Sequence, residues 1–177
     1  MVRLERLTAS AADVERLQQL FERAPRYAEA TTGESVSAAA AREALEALPP
    51  GKLQEDKFVF GAFTDDDVLV GCADLIRGYP SPSVAYVGLL LVDERLENRG
   101  YGTEILKQIE AIAVGWAVCI KLRLGVVQAN ERALRFWSRQ GFQATGEVKP
   151  YAAGSVVSQI ALFERKLPAP AARPGWR

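Results

Sequence analysis

VAYVGLLLVDERLENRGYGT, residues Val84–Thr103, runs from an apolar stretch, Tyr86–Val92, through a short polar crossing, Asp93–Arg99, to Gly100-Tyr101-Gly102-Thr103, which opens an amphipathic segment. A strand, a glycine turn and a helix N-terminus in that order make an anion site. The first backbone N–H groups of a helix have no internal partner and carry the positive end of its dipole. Glycines let that backbone approach a phosphate with no Cβ in the way. The stretch therefore predicts a strand, a phosphate-binding turn and a helix, and so a phosphorylated ligand. The same two glycines can also do no more than shape a turn.

Beyond the turn, the helix is expected from Tyr101 to about Trp116, because Ile105, Leu106, Ile109, Ile112, Ala113 and Trp116 share one face. Ile120, Leu122, Leu124 and Val126 alternate with Lys121, Arg123 and Gly125, the period of a strand. Asn130–Gln140 reads as a short helix ended by Gly141, and Phe142–Val148 and Val156–Arg165 as two further strands. Towards the N-terminus, Val68–Ile76 and Lys57–Phe63 are strands joined by the turn Thr64-Asp65-Asp66-Asp67, whose consecutive acids read as a solvated turn. Val2–Thr8 is a strand, followed by a helix capped by Ser10 and ended by Pro25. Arg26–Ser35 reads as a polar loop. A second helix carries Ala38, Ala41, Leu45 and Leu48 and stops at Pro49-Pro50-Gly51. The order β α α β β β α β α β β describes an α/β fold with a βαβ unit at the glycine turn. One domain over residues 1–167 is expected, with residues 168–177, PAPAARPGWR, as a flexible tail.

The composition limits the chemistry. At 177 residues with 49% apolar side chains the chain can bury a core, and its 22 basic and 22 acidic residues give no net charge. Nothing in that balance points to nucleic acid or a membrane surface. The charged start, MVRLERLTAS, lacks the apolar core of a signal peptide, so a cytoplasmic protein is expected. Cys72 and Cys119 are expected as buried, reduced thiols. The chain has no histidine, which removes Ser-His-Asp and Cys-His nucleophiles and histidine metal sites; no metal is expected.

Among phosphate ligands, a P-loop needs Gly-Lys-Ser/Thr, which is missing, and a dinucleotide fingerprint needs a third glycine and an acidic residue about 20 positions on. Ile120–Val127 contains no carboxylate. Two blocks point elsewhere. The turn Glu97-Asn98-Arg99-Gly100-Tyr101-Gly102 is similar to Gln/Arg-x-x-Gly-x-Gly/Ala. The run Asn130-Glu131-Arg132-Ala133-Leu134-Arg135-Phe136-Trp137-Ser138-Arg139-Gln140-Gly141-Phe142 is similar to Asn-x-x-Ala-x-x-Phe-Tyr-x-x-x-Gly-Phe. Both patterns belong to the GCN5-related N-acetyltransferase (GNAT) superfamily, and here they stand in its order, one helix and one strand apart. The chain resembles that superfamily over Val2–Lys166.

The resemblance implies a mixed, mostly antiparallel twisted sheet of about seven strands with four helices, its central strands 4 and 5 splayed, and acetyl-CoA as cofactor. Backbone N–H groups from Arg99 to Thr103, in the turn that begins Glu97-Asn98, would cradle the pyrophosphate, with the Thr103 hydroxyl adding a donor. The strand edge Leu90-Leu91-Val92 would bind the pantetheine amides, and the N–H of Leu90 or Leu91 would face the thioester oxygen. Asn130 would reach the cofactor near the sulfur, although it can equally cap its own helix. Ala133, Phe136 and Trp137 would complete the cofactor wall, and Arg132 or Arg135 stands where it could meet the 3′-phosphate or simply face water.

Three departures matter. Glu97 replaces Gln or Arg beside the pyrophosphate and needs a compensating cation, for which Arg99 and Arg95 are the candidates. Trp137 replaces the tyrosine that relatives use as general acid, leaving water, or Tyr101 or Tyr151 from nearby loops. The central strand has no carboxylate, so the base is sought among Asp74, Glu29 and Glu34, each otherwise an ordinary solvated carboxylate. Tyr27, Glu29, Asp74 and Tyr79 are the expected acceptor contacts. The function implied is N-acetyl transfer from acetyl-CoA to a small-molecule or peptide amine by direct attack in a ternary complex. The alternative is a non-catalytic acyl-CoA-binding or regulatory module. A homodimer is compatible with the resemblance.

Overall fold

The computed structural model describes residues 1–169. The expected flexible tail lies outside the described residues from position 170 onward. Seven strands form one sheet in the order β1-β2-β3-β4-β5-β7-β6. They are β1 Arg3–Arg6, β2 Lys57–Phe63, β3 Leu69–Arg77, β4 Val84–Val92, β5 Lys121–Val127, β6 Gln143–Ala153 and β7 Val156–Lys166. Neighbours pair antiparallel except β4 and β5, which run parallel because a helix crossover joins them. That crossover contains α4, Tyr101–Gly115.

The central strands part as the resemblance implied. β4 and β5 pair only from Val84↔Lys121 to Val87↔Leu124, although β4 continues to Val92 and β5 to Val127. On the other edge of β4 the register with β3 slips, from Leu75↔Val87 to Asp74↔Leu89, which leaves Gly88 as the extra residue of a bulge. The bulge turns β4 away from β5 and opens a V-shaped gap in the middle of the sheet.

Two helical layers cover the sheet. On one face, Ile105, Leu106, Ile109 and Ala113 of α4 pack on Val70, Ala73, Leu75, Ala85, Val87, Leu122 and Leu124. Trp137 of α5, Glu131–Arg139, joins that cluster. On the other face, α1 (Ala11–Glu22) and α3 (Ala40–Glu46) bring Leu17, Leu20, Phe21, Ala41 and Leu45 against Val59, Phe63, Cys72 and Leu91. α1 begins as its sequence predicts: Ser10 Oγ accepts from Asp13 N at 3.2 Å, and the Asp13 carboxylate accepts from Thr8 N at 2.9 Å. Both cysteines are free and buried, and burial pushes the Cys72 thiol up to about 12.

Two sequence expectations fail here. Residues 25–32 are not a loop: Pro25–Thr32 is a helix, α2, so the described residues form five α-helices and not four. Pro25 sits in its first turn, where the missing N–H would have had no partner anyway, and the helix ends at Gly33 with φ 70°. No residue of α2 is fully buried, although Tyr27 packs part-buried against the core under α1 and α3. The strand expected to end at Val148 runs on to Ala153, after a register shift between Ala144 and Val148. Pro150 is tolerated because β6 is an edge strand. Tyr151 is therefore a strand residue, and Tyr101 opens α4; neither belongs to a loop. Among the described residues, no helix is long and apolar enough to cross a membrane.

Candidate active site

The apolar run of β4 ends at Asp93, a fully buried carboxylate that holds the crossing in place. It accepts from Nε of Arg23, the C-cap of α1, at 2.7 Å and from Arg95 N, Nε and Nη2 at 3.0, 3.0 and 2.7 Å. The Arg95 hydrogen bonds, followed by that from Arg23, hold the Asp93 carboxyl at about 2 despite the opposing effect of burial. A folded-state value below the unfolded one means stability that is present above pH ~4 and lost as pH falls towards 2. Because Arg95 is largely solvent-exposed, the contribution is about 1–2 kcal/mol. In urea titrations Asp93→Asn is expected to be less stable than wild type at pH 6, with the difference shrinking at pH 2.5.

Past the crossing, Gly100 caps α4 with φ 86°, and a Cβ there would meet nothing within 4 Å. The turn thus combines a left-handed glycine, clear space in front of it and the N-terminus of a fifteen-residue helix. Gly102 lies two residues on, and a Cβ there would stand 3.3 Å from the Phe136 ring, so its absence lets α5 close on α4. Thr103 Oγ accepts from Gln140 Nε2 at 3.0 Å, which leaves the hydroxyl proton to donate outward.

A cleft of about 580 Å³ opens over this turn. Its wall includes Leu90, Leu91, Val92, Glu97, Asn98, Gly100, Tyr101, Gly102, Thr103, Asn130, Ala133, Phe136 and Trp137, so one wall brings together every expected cofactor residue except Arg99. Sequence reading missed Arg26, Arg139 and Gln140, which also line it. Asn130 Oδ1 caps α5 by accepting from Ala133 N at 3.1 Å, leaving its amide N–H groups free. Trp137 is buried and packs edge-on against Phe136 and Phe142, each with ring centres 5.0 Å apart. It belongs to the core.

β4 also offers unpaired donors. Asp93 N donates to Val70 O of β3 at 2.9 Å. N–H directions alternate along a strand, so the Leu91 N–H points to β3 as well, while those of Leu90 and Val92 point into the gap.

Glu97 is compensated, but not by Arg99 or Arg95. It accepts from Arg26 Nη2 of α2 at 3.1 Å and from Arg132 of α5, while Arg95 is spent on Asp93. Arg26 also bonds Glu94 through its backbone N, at 2.6 Å, and its Nε, at 2.7 Å. One carboxylate thus occupies two cations at the mouth of the cleft. Glu97→Gln is expected to release them towards a pyrophosphate and tighten acetyl-CoA binding by about 1 kcal/mol, roughly fivefold. Calorimetric titration checks this, and weaker binding would show that the ion pairs are needed to order the turn.

The expected acceptor residues fare unequally. Tyr27 of α2 lines the cleft and a second cavity of about 120 Å³ in the β4–β5 gap, and burial pushes its phenol up to about 12. Asp74 is not solvated: it is buried and accepts from Lys57 Nζ at 2.6 Å through Oδ2, while Oδ1 has no partner. Burial raises its carboxyl above the ordinary value against the opposing pull of Lys57. A Cβ on Gly88 would lie 2.7 Å from Asp74 Oδ2, so the bulge glycine is what stands between this carboxylate and the gap. Tyr79 packs edge-on to Tyr86 at 5.4 Å and lines neither cavity. Glu29 and Glu34 are exposed and line neither, because α2 turns Glu29 to solvent.

The sequence model of the acetyltransferase (GNAT) family matches residues 14–142. No curated protein is matched by the sequence. Among solved structures, an acetyltransferase from Thermus thermophilus superposes with a TM-score of 0.72 at 24% identity, over 93% of this chain and 97% of that one. A GNAT family acetyltransferase from Elizabethkingia anophelis with acetyl-CoA bound gives 0.63 at 16% identity, over 94% and 98%. The ribosomal-protein-S18-alanine N-acetyltransferase from Escherichia coli gives 0.68 at 13%, over 99% and 100%. At these identities the likeness is one of fold.

Proposed function

This chain belongs to the acetyltransferase (GNAT) family, whose members use acetyl-CoA, and from that premise we propose that it is an N-acetyltransferase acting on an amine by direct attack in a ternary complex. The observation that carries this reading is the single cleft that joins the glycine turn of α4 to the open edge of β4. The residues fit the cofactor: the left-handed Gly100 leaves clear space before a helix N-terminus, which suits a pyrophosphate, and the gap edge of β4 has free donors for amides.

Bound there, acetyl-CoA supplies an activated acetyl thioester: the amine forms a C–N bond to its carbonyl carbon, the C–S bond breaks, and the thiolate leaves. The backbone N–H groups from Gly100 to Thr103 and the Thr103 hydroxyl would hold the phosphates. Arg99 does not line the cleft, and its side chain has no assigned part. The N–H of Leu90, aimed into the gap, donates to the carbonyl oxygen as it gains charge. Asn130, on the cleft wall with its amide N–H groups free, would donate to the bound cofactor. Asp74, behind Gly88, takes a proton from the acceptor's ammonium, through a water where the side chains do not meet, and so yields the neutral amine that attacks. Tyr27 walls the acceptor side. The buried Trp137 has no proton to give near neutral pH, and Tyr101, at the start of α4 and on the cleft wall, is the phenol that could protonate the thiolate.

Thiol release from acetyl-CoA across a panel of amines tests the reading. Turnover dependent on an amine is expected. Saturable binding with no turnover on any amine would favour a binding module instead.

A further inference from the structure

The acceptor side of the gap has a roof. The last carbonyls of α2 do not face water: Tyr151 Oη of β6 donates to Thr31 O at 2.8 Å, and Ser155 N, at the tip of the β6–β7 hairpin, donates to Thr32 O at 2.8 Å. Two left-handed glycines make this junction close, Gly33 at φ 70° and Gly154 at φ 55°. A Cβ on Gly154 would collide with Thr32 O, and one on Gly33 with Ser155 Oγ. At its other end α2 is tied through Arg26 to Glu94 and Glu97. With only Tyr27 packed against the core and no fully buried residue, α2 is held across the sheet largely by these ties.

Beneath this strap lies the cavity of about 120 Å³ in the β4–β5 gap, which shares Tyr27, Leu90, Asn130, Ala133 and Trp137 with the cofactor cleft. Its volume is that of about four waters in the liquid. No carboxylate, lysine or arginine lines it. Deeper on the same side of the sheet, the basic groups are already paired: Lys57 with Asp74, Lys121 with Glu164, and Arg123 with Glu147 and Glu164. Those cations are committed and cannot take up a carboxylate on the acceptor. Most of its side chains are apolar, and with no carboxylate in the wall the ammonium form of a bound amine is disfavoured, which helps to produce the neutral nucleophile.

Building on the acetyltransferase reading, we infer that the acceptor is a compact primary amine with an apolar stem, bound under α2, and that the α2–hairpin strap keeps polypeptide amines out. The amine displaces the thiol as above, its lost proton passing to Asp74. Tyr151, Gly154 and Ser155 line neither the cofactor cleft nor the gap cavity; they hold α2 in place and so set the size of what enters.

The test compares phenethylamine with a peptide carrying one internal lysine, on the full chain and on its Gly154→Val and Tyr151→Phe variants. Acetyl-CoA is titrated calorimetrically into each protein, and thermal stabilisation by phenethylamine is read in the presence of CoA. The wild type is expected to favour phenethylamine by about tenfold or more in kcat/KM and to be stabilised by it. Gly154→Val, and more weakly Tyr151→Phe, should lower that ratio by admitting the peptide, with acetyl-CoA affinity unchanged. Tyr151→Phe adds no Cβ clash and serves if the glycine variant does not fold. Equal use of the peptide by the wild type, a ratio that neither variant moves, or acetyl-CoA binding without turnover on either amine would overturn the inference. Failure of the wild type to bind acetyl-CoA would instead overturn the acetyltransferase reading on which it stands.

Discussion

Gly100→Val is expected to lower acetyl-CoA affinity by about 100-fold or more, close to 3 kcal/mol. Gly100 holds φ 86°, a conformation that costs an L-residue roughly 1–2 kcal/mol and a β-branched one more. Nothing in the protein stands within 4 Å of the added Cβ, so no packing clash explains the loss. The valine acts on the turn and on the space before the helix N-terminus. Gly115→Ala is the control: it lies at the far end of α4, has no positive φ, and its Cβ would also meet nothing within 4 Å. Calorimetry should find that variant unchanged in affinity and no less stable.

Asp74→Asn is expected to lower kcat by about a hundredfold while leaving acetyl-CoA affinity intact. The pH–rate profile gives the sharper readout. Asp74 works as a base only when ionised, and burial, opposed by Lys57, raises its carboxyl above 3.8. The wild-type rate should therefore rise through a limb displaced upward from that of an ordinary aspartate. Asp74→Asn should lose that limb and follow only the deprotonation of the amine itself. Lys57→Met removes the opposing ammonium, so the limb should move to higher pH, and an unpaired buried carboxylate should cost about 3–5 kcal/mol of stability. An unchanged profile in Asp74→Asn would remove Asp74 from the mechanism.

The parts of this fold that could be read in the sequence are those whose signal is local. β4, the glycine turn and α4 follow from apolar periodicity and two glycines, and α5 from a short pattern between Asn130 and Gly141. α2 was hidden because Pro25 reads as a stop and because its inward residues are few, Tyr27 and Thr31 among polar neighbours. The burial of Asp74 depends on Lys57, across the β2–β3 hairpin. The two stand on adjacent antiparallel strands with Lys57 opposite Ile76 and Asp74 opposite Val59, so the hairpin register carried a signal that composition alone did not. The compensation of Glu97 by Arg26 and Arg132 is a meeting of α2, the turn and α5, and no local pattern announces it. The same holds for Gln140 on Thr103 and Tyr151 on Thr31, which are contacts between distant elements.

Calorimetric titration of acetyl-CoA into the full chain tests the central claim most directly, because every later step begins in the cleft between the α4 turn and β4. Saturable binding to a single site, competed by CoA and lost in Gly100→Val, is the predicted result. No detectable heat and no thermal stabilisation at millimolar acetyl-CoA would contradict the assignment of this cleft to the cofactor.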